Sequence, residues 1–405
     1  MLPQVVLLEC AWCGAQRAPD LDPWCGACGG SLRLANVPRA VGTPLDAVLA
    51  GIGPLSLGEG ATPLLPLRRL YPGGAVLGKA EWMNPTGSFK DRGAAAAMGV
   101  ASALGAPGVV VASTGNNAAS VSAYAARAGL PCMVILPAAT PRGKVAQALA
   151  HGATVVRHSG DFSDSYRLAE SVRLEAGWAN LTSTYVNPYM TTAHGAIARE
   201  ILAAVGGELG TVLVPIGAGP MLEGIAVELD RARSSGRIGR MPLVIGVQAA
   251  GCAPIARAFD LNAEQVDEWP HPPVGIANSI NDPLRGYSSD GTRTLRVLRR
   301  HGGVAIAVTD AEIEAAMVDL GTMEGIAVEP AAAATLAAFR TLDARRLIRR
   351  PAVIVLSGHA LKDPDHQPLA NREDTAFTDV DVVALARSRV GRPRSAAHGG
   401  TADAT

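Results

Sequence analysis

The chain alternates short, mostly apolar and β-branched runs with alanine-rich stretches of helical pattern. VVVAS at Val109–Ser113, CMVILP at Cys132–Pro137 and ATVVRHS at Ala153–Ser159 form one group of runs. TVLVPIG from Thr211, LVIGVQ from Leu243, VAIAV from Val304 and AVIVLSG from Ala352 form a second. A strand apolar along its whole length is covered on both faces, so these runs predict parallel sheets layered between helices. The expected fold class is α/β, with two three-layer lobes, mostly parallel sheets and a cleft between them. The pattern changes around residues 185–200. This divides the chain into a small lobe over 91–199 and a large lobe built from 39–90 and 200–387. Ligands favour such a cleft, beyond the carboxyl ends of the strands.

The two ends of the chain depart from this rhythm. Residues 1–38 concentrate cysteine, glycine and turn formers, which predicts a small appended ribbon, and 388–405 are small, polar and basic with no apolar face, which predicts a disordered tail. Composition narrows the function classes. Acidic and basic residues number 36 each, so no net charge points to nucleic acid or a membrane surface. No basic leader opens the chain, and no apolar stretch is long enough to span a bilayer, so a cytoplasmic location is expected.

Four of the six cysteines fall in the first thirty residues, as Cys10-Ala-Trp-Cys13 and Cys25-Gly-Ala-Cys28. Each C-x-x-C turn brings two thiolates to one point, and two turns complete a tetrahedral site with no open position. Structural zinc on Cys10, Cys13, Cys25 and Cys28 is the expectation, with redox-active or merely reduced thiols as the alternative. Cys132 and Cys252 are isolated in apolar contexts and serve as small hydrophobes.

The segment Asn84-Pro-Thr-Gly-Ser-Phe-Lys90-Asp-Arg-Gly93 runs from turn formers into an alanine-rich helix and presents Lys90 at the junction. A lysine at a helix start is usually a solvated surface residue. Held in a restricted cavity, its amine can instead condense with a carbonyl and carry protons. Three further segments stand at predicted strand ends: Ser113-Thr-Gly-Asn-Asn117, Gly217-Ala-Gly-Pro-Met221 before a helix, and Ser357-Gly-His-Ala-Leu-Lys-Asp-Pro364. The first is a polar turn able to hold a carboxylate, and the second can cradle an anion at a helix N-terminus.

Together, in this order, the four segments resemble the threonine synthase family, pyridoxal-phosphate (PLP) enzymes of fold type II with a tryptophan synthase β-like fold. Glu59-Gly-Ala-Thr-Pro63 and Gly325-Ile-Ala-Val-Glu-Pro330 extend the match. The resemblance implies that Lys90 carries the cofactor and acts as base, and that Asn116 hydrogen-bonds the ring oxygen. It assigns the cofactor phosphate to Gly217, Ala218, Gly219 and Met221, although Pro220 lacks an N–H, and it places Ser357 at the pyridine nitrogen. It gives Ser113, Thr114 and Asn117 the substrate carboxylate. It also implies a homodimer acting on a small amino acid.

Threonine synthases convert O-phospho-L-homoserine and water to threonine and phosphate, which is the reaction the resemblance implies here. Elimination from, or replacement on, serine, threonine or O-phosphoserine, as in dehydratases and cysteate synthase, is the alternative. An inactive amino-acid-binding relative is a third reading, opposed by the intact Lys90, Asn116 and Ser357. The substrate side departs from the family pattern. Met190 stands where the family's Asn-Pro-Tyr-Arg places a phosphate-binding arginine, Thr184-Tyr185 replaces Asn-Ser, and Asn117 replaces a common threonine. A thioether offers neither the charge nor the paired donors of a guanidinium. Arg142, Lys144 and His194 are the candidates to supply positive charge instead.

Overall fold

A computed structural model describes residues 6–35, 55–140, 142–160 and 162–368; the predicted tail and parts of the predicted large lobe, 39–54 and 369–387, lie outside the described residues. Three short strands belong to the cysteine ribbon, β1 (Leu8–Cys10), β2 (Gln16–Arg17) and β3 (Leu32–Leu34), and form an antiparallel sheet of order β2-β1-β3. Continuous apolar runs form most strands of the two larger sheets. The largest is built from β4 (Leu64–Pro66), β5 (Val76–Lys79), β10 (Thr211–Pro215), β11 (Leu243–Ala249), β12 (Val304–Val308) and β13 (Ala352–Val355), in the order β12-β11-β10-β13-β5-β4. All pairs are parallel except the antiparallel edge pair β4–β5. The central strands β10 and β13 are buried at every position, as expected for strands covered by helices on both faces.

The remaining sheet consists of β6 (Val109–Ala112), β7 (Cys132–Pro137), β8 (Thr154–His158) and β9 (Ala179–Asn180). It is wholly parallel, with the order β8-β7-β6-β9. The mixed α/β architecture read from the sequence is therefore present.

Helix composition follows each helix's place in the layers. The Pro330–Ala344 helix starts with proline at its first turn, where a missing N–H costs nothing, and is alanine-rich because it is buried along nearly its whole length. The more exposed Asp310–Asp319 helix is instead started by a capping box, in which the Thr309 hydroxyl accepts from the Glu312 N–H and Glu312 reaches back to Thr309. Among the described residues no helix is long and apolar enough to cross a membrane.

The ribbon packs on the body of the chain through an apolar cluster of Leu8, Cys10, Cys25, Leu32 and Leu34 with Val100 and Tyr189. Val100 lies on the Lys90–Ala103 helix and Tyr189 on the Pro188–Ala193 helix. The carboxyl ends of β5, β6, β10 and β13 lead into the four segments singled out in the sequence, so all four are delivered to the same side of the sheets.

Candidate active site

The lysine loop is held by a buried ionic network. Glu81, fully buried, accepts from Arg92 Nε at 2.7 Å and Nη2 at 2.8 Å, and Arg92 also donates to both oxygens of Glu200 at 2.6 and 2.7 Å. Lys79 Nζ donates to Glu200 Oε2 at 2.5 Å and to the Thr62 carbonyl at 2.6 Å. Asn84 Nδ2 donates to the Glu81 carbonyl at 2.7 Å, and Asp91 accepts from the Thr86 N–H and hydroxyl, both at 2.7 Å. Buried charges persist only when paired in this way. Around Lys90, Asn84, Thr86, Asp91 and Arg92 are thus committed to the scaffold.

Lys90 is the exception. It begins the Lys90–Ala103 helix and lines a cavity of about 430 Å³, within the usual range for small-molecule sites. Its Nζ sits 4.7 Å from the Phe89 ring centroid, and no described residue hydrogen-bonds it. Burial pulls its pKa down to about 8, against the opposing pull of the Glu329 and Asp282 carboxylates. About a tenth of the amine is therefore neutral at pH 7, far more than for an ordinary lysine, and a nucleophile or base must be neutral.

The other predicted segments converge on the same cavity, whose lining includes Ser113, Thr114, Asn116, Asn117, Gly217, Ala218, Gly219, Met221 and Ser357. Ser113 Oγ accepts from the N–H groups of Gly115 at 3.3 Å and Ala118 at 3.2 Å, fixing the turn into the Asn116–Ala128 helix. Asn117 Nδ2 donates to the Leu181 carbonyl at 2.9 Å, while its buried Oδ1 has no partner among the described residues. Glu329 ties two segments together: Asn116 Nδ2 donates to it at 2.9 Å and Ser357 Oγ at 3.4 Å, with Ser279 Oγ a third donor at 3.1 Å. Burial raises the Glu329 carboxyl above the ordinary carboxylate range, although Asn116 and Ser279 oppose this. A side chain at Gly358 would collide with it, since a Cβ there would lie 2.5 Å from Glu329 Oε1.

Gly219, at φ +106°, is the N-cap of the Pro220–Ser234 helix, and no side chain caps that end. A Cβ at Gly219 would collide with the Thr294 hydroxyl, so glycine is needed for both conformation and space. The uncapped end of this fifteen-residue helix leaves backbone donors toward the cavity, an arrangement suited to phosphate. With a lysine amine and an uncapped helix terminus in one cleft, the residues fit an aldehyde-bearing, phosphorylated cofactor.

Met190 does not line this cavity. It is 3% exposed and packs in the core against the Lys90–Ala103 helix, its Cβ 3.2 Å from where a Cβ on Gly93 would be. His194 is likewise buried behind Phe89, at 5.2 Å between ring centroids. Burial, followed by the charges of Lys90 and Arg92, lowers its pKa to about 3, so it offers no positive charge. Arg142 is exposed, whereas Lys144 lines the cavity, 3.7 Å from Asp363.

Sequence reasoning missed Asp282, Arg285 and Tyr287, which close another side of the cavity. Tyr287 Oη donates to Asp282 Oδ1 at 2.8 Å and its ring stacks on Tyr166 at 5.4 Å. Burial raises the Asp282 carboxyl, partly offset by the Tyr287 and Leu284 donors. The only hint is an Asp-Pro turn within a polar, glycine-bearing run.

In the ribbon the four predicted ligand sulfurs lie within 4.8 Å of one another, with Cys10–Cys28 at 3.5 Å and Cys13–Cys25 at 3.7 Å. Zinc–sulfur bonds of about 2.3 Å would set neighbouring sulfurs about 3.8 Å apart in a tetrahedron, so the arrangement is compatible with such a site.

Residues 55–358 match the family described as pyridoxal-phosphate dependent enzymes. Threonine synthase of Methanosarcina acetivorans is 35% identical, over 96% of this chain and 99% of the relative. That of Mycobacterium leprae is 34% identical over 82% and 90%. Among solved structures, a threonine deaminase from T.th. superposes with a TM-score of 0.65 at 27% identity, covering 82% of this chain and 99% of that one. Maize serine racemase, 22% identical, shares the fold with a TM-score of 0.64 over 85% and 96%.

Proposed function

Because the chain belongs to the pyridoxal-phosphate dependent enzymes and is a lyase similar to threonine synthases, we propose that it converts O-phospho-L-homoserine and water to L-threonine and phosphate, with Lys90 as the cofactor lysine and the acid–base group. The observation that carries this reading is the convergence of the four segments on one cavity around an amine with a pKa of about 8.

In this reading the helix terminus at Gly217–Met221 holds the cofactor phosphate, Asn116 faces the ring oxygen and Ser357 the pyridine nitrogen. Bound there, the cofactor supplies an electron-accepting ring that stabilises negative charge at the substrate α-carbon. Ser113 and Thr114, both on the cavity wall, orient the substrate carboxylate, to which Asn117 adds only the second hydrogen of an amide nitrogen already bonded to the Leu181 carbonyl. The neutral Lys90 Nζ takes the proton from Cα and then one from Cβ as phosphate leaves Cγ, gives one proton to Cγ and one back to Cα, and water adds its hydroxyl at Cβ, its remaining proton leaving with phosphate. Lys144 and Arg285, which line the cavity, supply positive charge for the substrate phosphate in place of residue 190. The four cysteines hold a structural zinc ion, and the protein acts as a cytoplasmic homodimer.

A second reading, β-elimination from serine, threonine or O-phosphoserine, is favoured by the burial of Met190 away from the cavity and by the similarity to threonine deaminase. Incubating the PLP-loaded protein with each substrate and following phosphate, threonine and keto acid separates the two. Threonine and phosphate in equal amounts from O-phosphohomoserine supports the first; keto acid from serine or threonine, with no turnover of O-phosphohomoserine, replaces it with the second.

A further inference from the structure

One buried arginine outside the catalytic cleft joins the ribbon to the anion cradle. Arg293, 5% exposed, lies on the Ser288–Arg300 helix. Its Nη1 donates to Ser31 Oγ at 2.9 Å and to the Leu32 carbonyl at 3.1 Å, where β3 begins, a few residues beyond Cys28. Its other edge forms a fork on Glu223, with Nε to Oε2 at 2.8 Å and Nη2 to Oε1 at 2.6 Å. Glu223 is in the first turn of the helix whose N-terminus forms the cradle. The guanidinium lies 4.2 Å from the ring centroid of Tyr185, whose hydroxyl is 2.8 Å from Thr294 Oγ1. Thr294 in turn donates to the Ala218 carbonyl within the cradle.

Each link is nearly solvent-free: Ser31, Tyr185, Glu223, Arg293 and Thr294 are all buried. Removing one partner from such a set strands a buried charge or polar group, so the contacts are made together or rearranged together. An arginine can bridge a carboxylate on one edge and a carbonyl on the other because its five donors lie in one rigid plane; a lysine cannot. A ribbon fixed by a metal ion on its four thiolates presents Ser31 and the Leu32 carbonyl at one place, whereas one without metal loses that constraint.

We propose that Arg293 is a positioning residue that couples metal occupation of the ribbon to the cradle at Gly217–Met221, so that a metal-loaded ribbon tightens cofactor binding. This rests on the reading that the cradle takes the cofactor phosphate. The ribbon also reaches the small lobe through Tyr189 Oη, which donates to the Asp20 carbonyl at 2.9 Å, and through Trp24 Nε1, which donates to Glu170 at 3.2 Å. Those contacts do not touch the cradle; they and Arg296, which lies on the same helix as Arg293 and 4.5 Å over the Trp12 ring, are the competing routes.

The test is a PLP titration of the cofactor-free full-length protein, read by visible absorbance, in zinc-loaded and chelated forms of the wild type, Arg293→Lys and Gly217→Asp. Chelation is expected to weaken PLP binding by the wild type on the order of tenfold, within the usual range of coupling between sites. Zinc-loaded R293K is expected to bind PLP several-fold more weakly than wild type, with chelation changing it by less than about twofold, as a broken link between the sites requires. Wild-type affinity indifferent to chelation, or R293K as sensitive as wild type, overturns the coupling. A merely structural Arg293 would lower thermal stability and leave that sensitivity intact. G217D adds a carboxylate to the cradle: wild-type affinity in this variant overturns the cradle reading and the proposal with it, whereas its loss beside a zinc-indifferent wild type overturns the coupling alone. Should R293K not fold, zinc affinity of the wild type with and without PLP decides, because linkage requires the same factor in both directions.

Discussion

The cleft has two walls built on different terms. On the lysine side, Lys79, Glu81, Asn84, Thr86, Asp91 and Arg92 hydrogen-bond one another or their near neighbours, and the Lys90 amine is left to face the cavity. On the opposite side, from Pro273 to Tyr287, the cavity meets a polar loop carrying Asp282 and Arg285, and the Asn281 Oδ1 atom has no partner among the described residues. A closed network fixes one geometry and suits a cofactor that never changes. Open polar groups suit a ligand that varies; of the residues at which this chain departs from the family pattern, Asn117 and Thr184 line the cavity elsewhere, while Tyr185 and Met190 are buried away from it. The difference is between side chains committed to one another around the lysine and polar atoms left open to a ligand.

The contrast can be broken most severely at Lys90. Lys90→Ala is expected to lower turnover by a factor on the order of 10³ or more, as loss of an acid–base group does, while the fold persists; steady-state kinetics and circular dichroism check both halves. Next is the network beneath it. Arg92→Met leaves Glu81 and Glu200 to share Lys79 as their one remaining cation, and breaking a buried pair costs about 3–5 kcal/mol, read in denaturant unfolding. A fall under about 1 kcal/mol would show that these carboxylates are hydrated rather than structural.

The substrate wall should respond differently. Lys144→Ala is expected to raise KM for O-phosphohomoserine about tenfold, the usual value of a charge-assisted contact, with the PLP absorbance unchanged. Met190→Arg, by contrast, would force an unpaired charge into the core and lower stability with no gain in phosphate affinity, measured by thermal unfolding and KM. The mildest test is pH. A pKa of about 8 for Lys90 makes roughly a tenth of the amine neutral at pH 7, so PLP uptake by the cofactor-free protein should rise about tenfold between pH 7 and 9 and then level off. A flat profile would mean that the amine is not the attacking group.

The buried strands are legible in the sequence because a run such as Thr211–Pro215, apolar along almost its whole length, has only one suitable environment, the centre of a covered sheet. The edge elements are not: β4 and β9 span three and two residues, too few for any period to register. Within the site, Lys90, Asn116 and Ser357 stand out because their segments resemble the family's motifs and follow in the family's order. Glu329 is visible only as part of the Gly325–Pro330 segment that extends the family match, since its partner Asn116 is 213 residues away. Asp282 and Tyr287 come from a loop without periodicity, and Arg293 bridges to Ser31 across 262 residues. Separations of that size leave no local signal. Met190 shows the converse: its place in the motif marks a substrate contact in the family, but its apolar side chain here lies in the core.

The most direct measurement is borohydride reduction of the PLP-loaded protein followed by peptide mass mapping. Lys144 and Lys362 line the same cavity as Lys90, so the result discriminates among three amines within one cleft. The account requires the pyridoxyl group on Lys90 alone, because its Nζ is not engaged by the scaffold, while Lys362 Nζ donates to the Thr86 carbonyl at 3.1 Å and Lys144 lies against Asp363. Label on Lys144 or Lys362, or none at all, would contradict it.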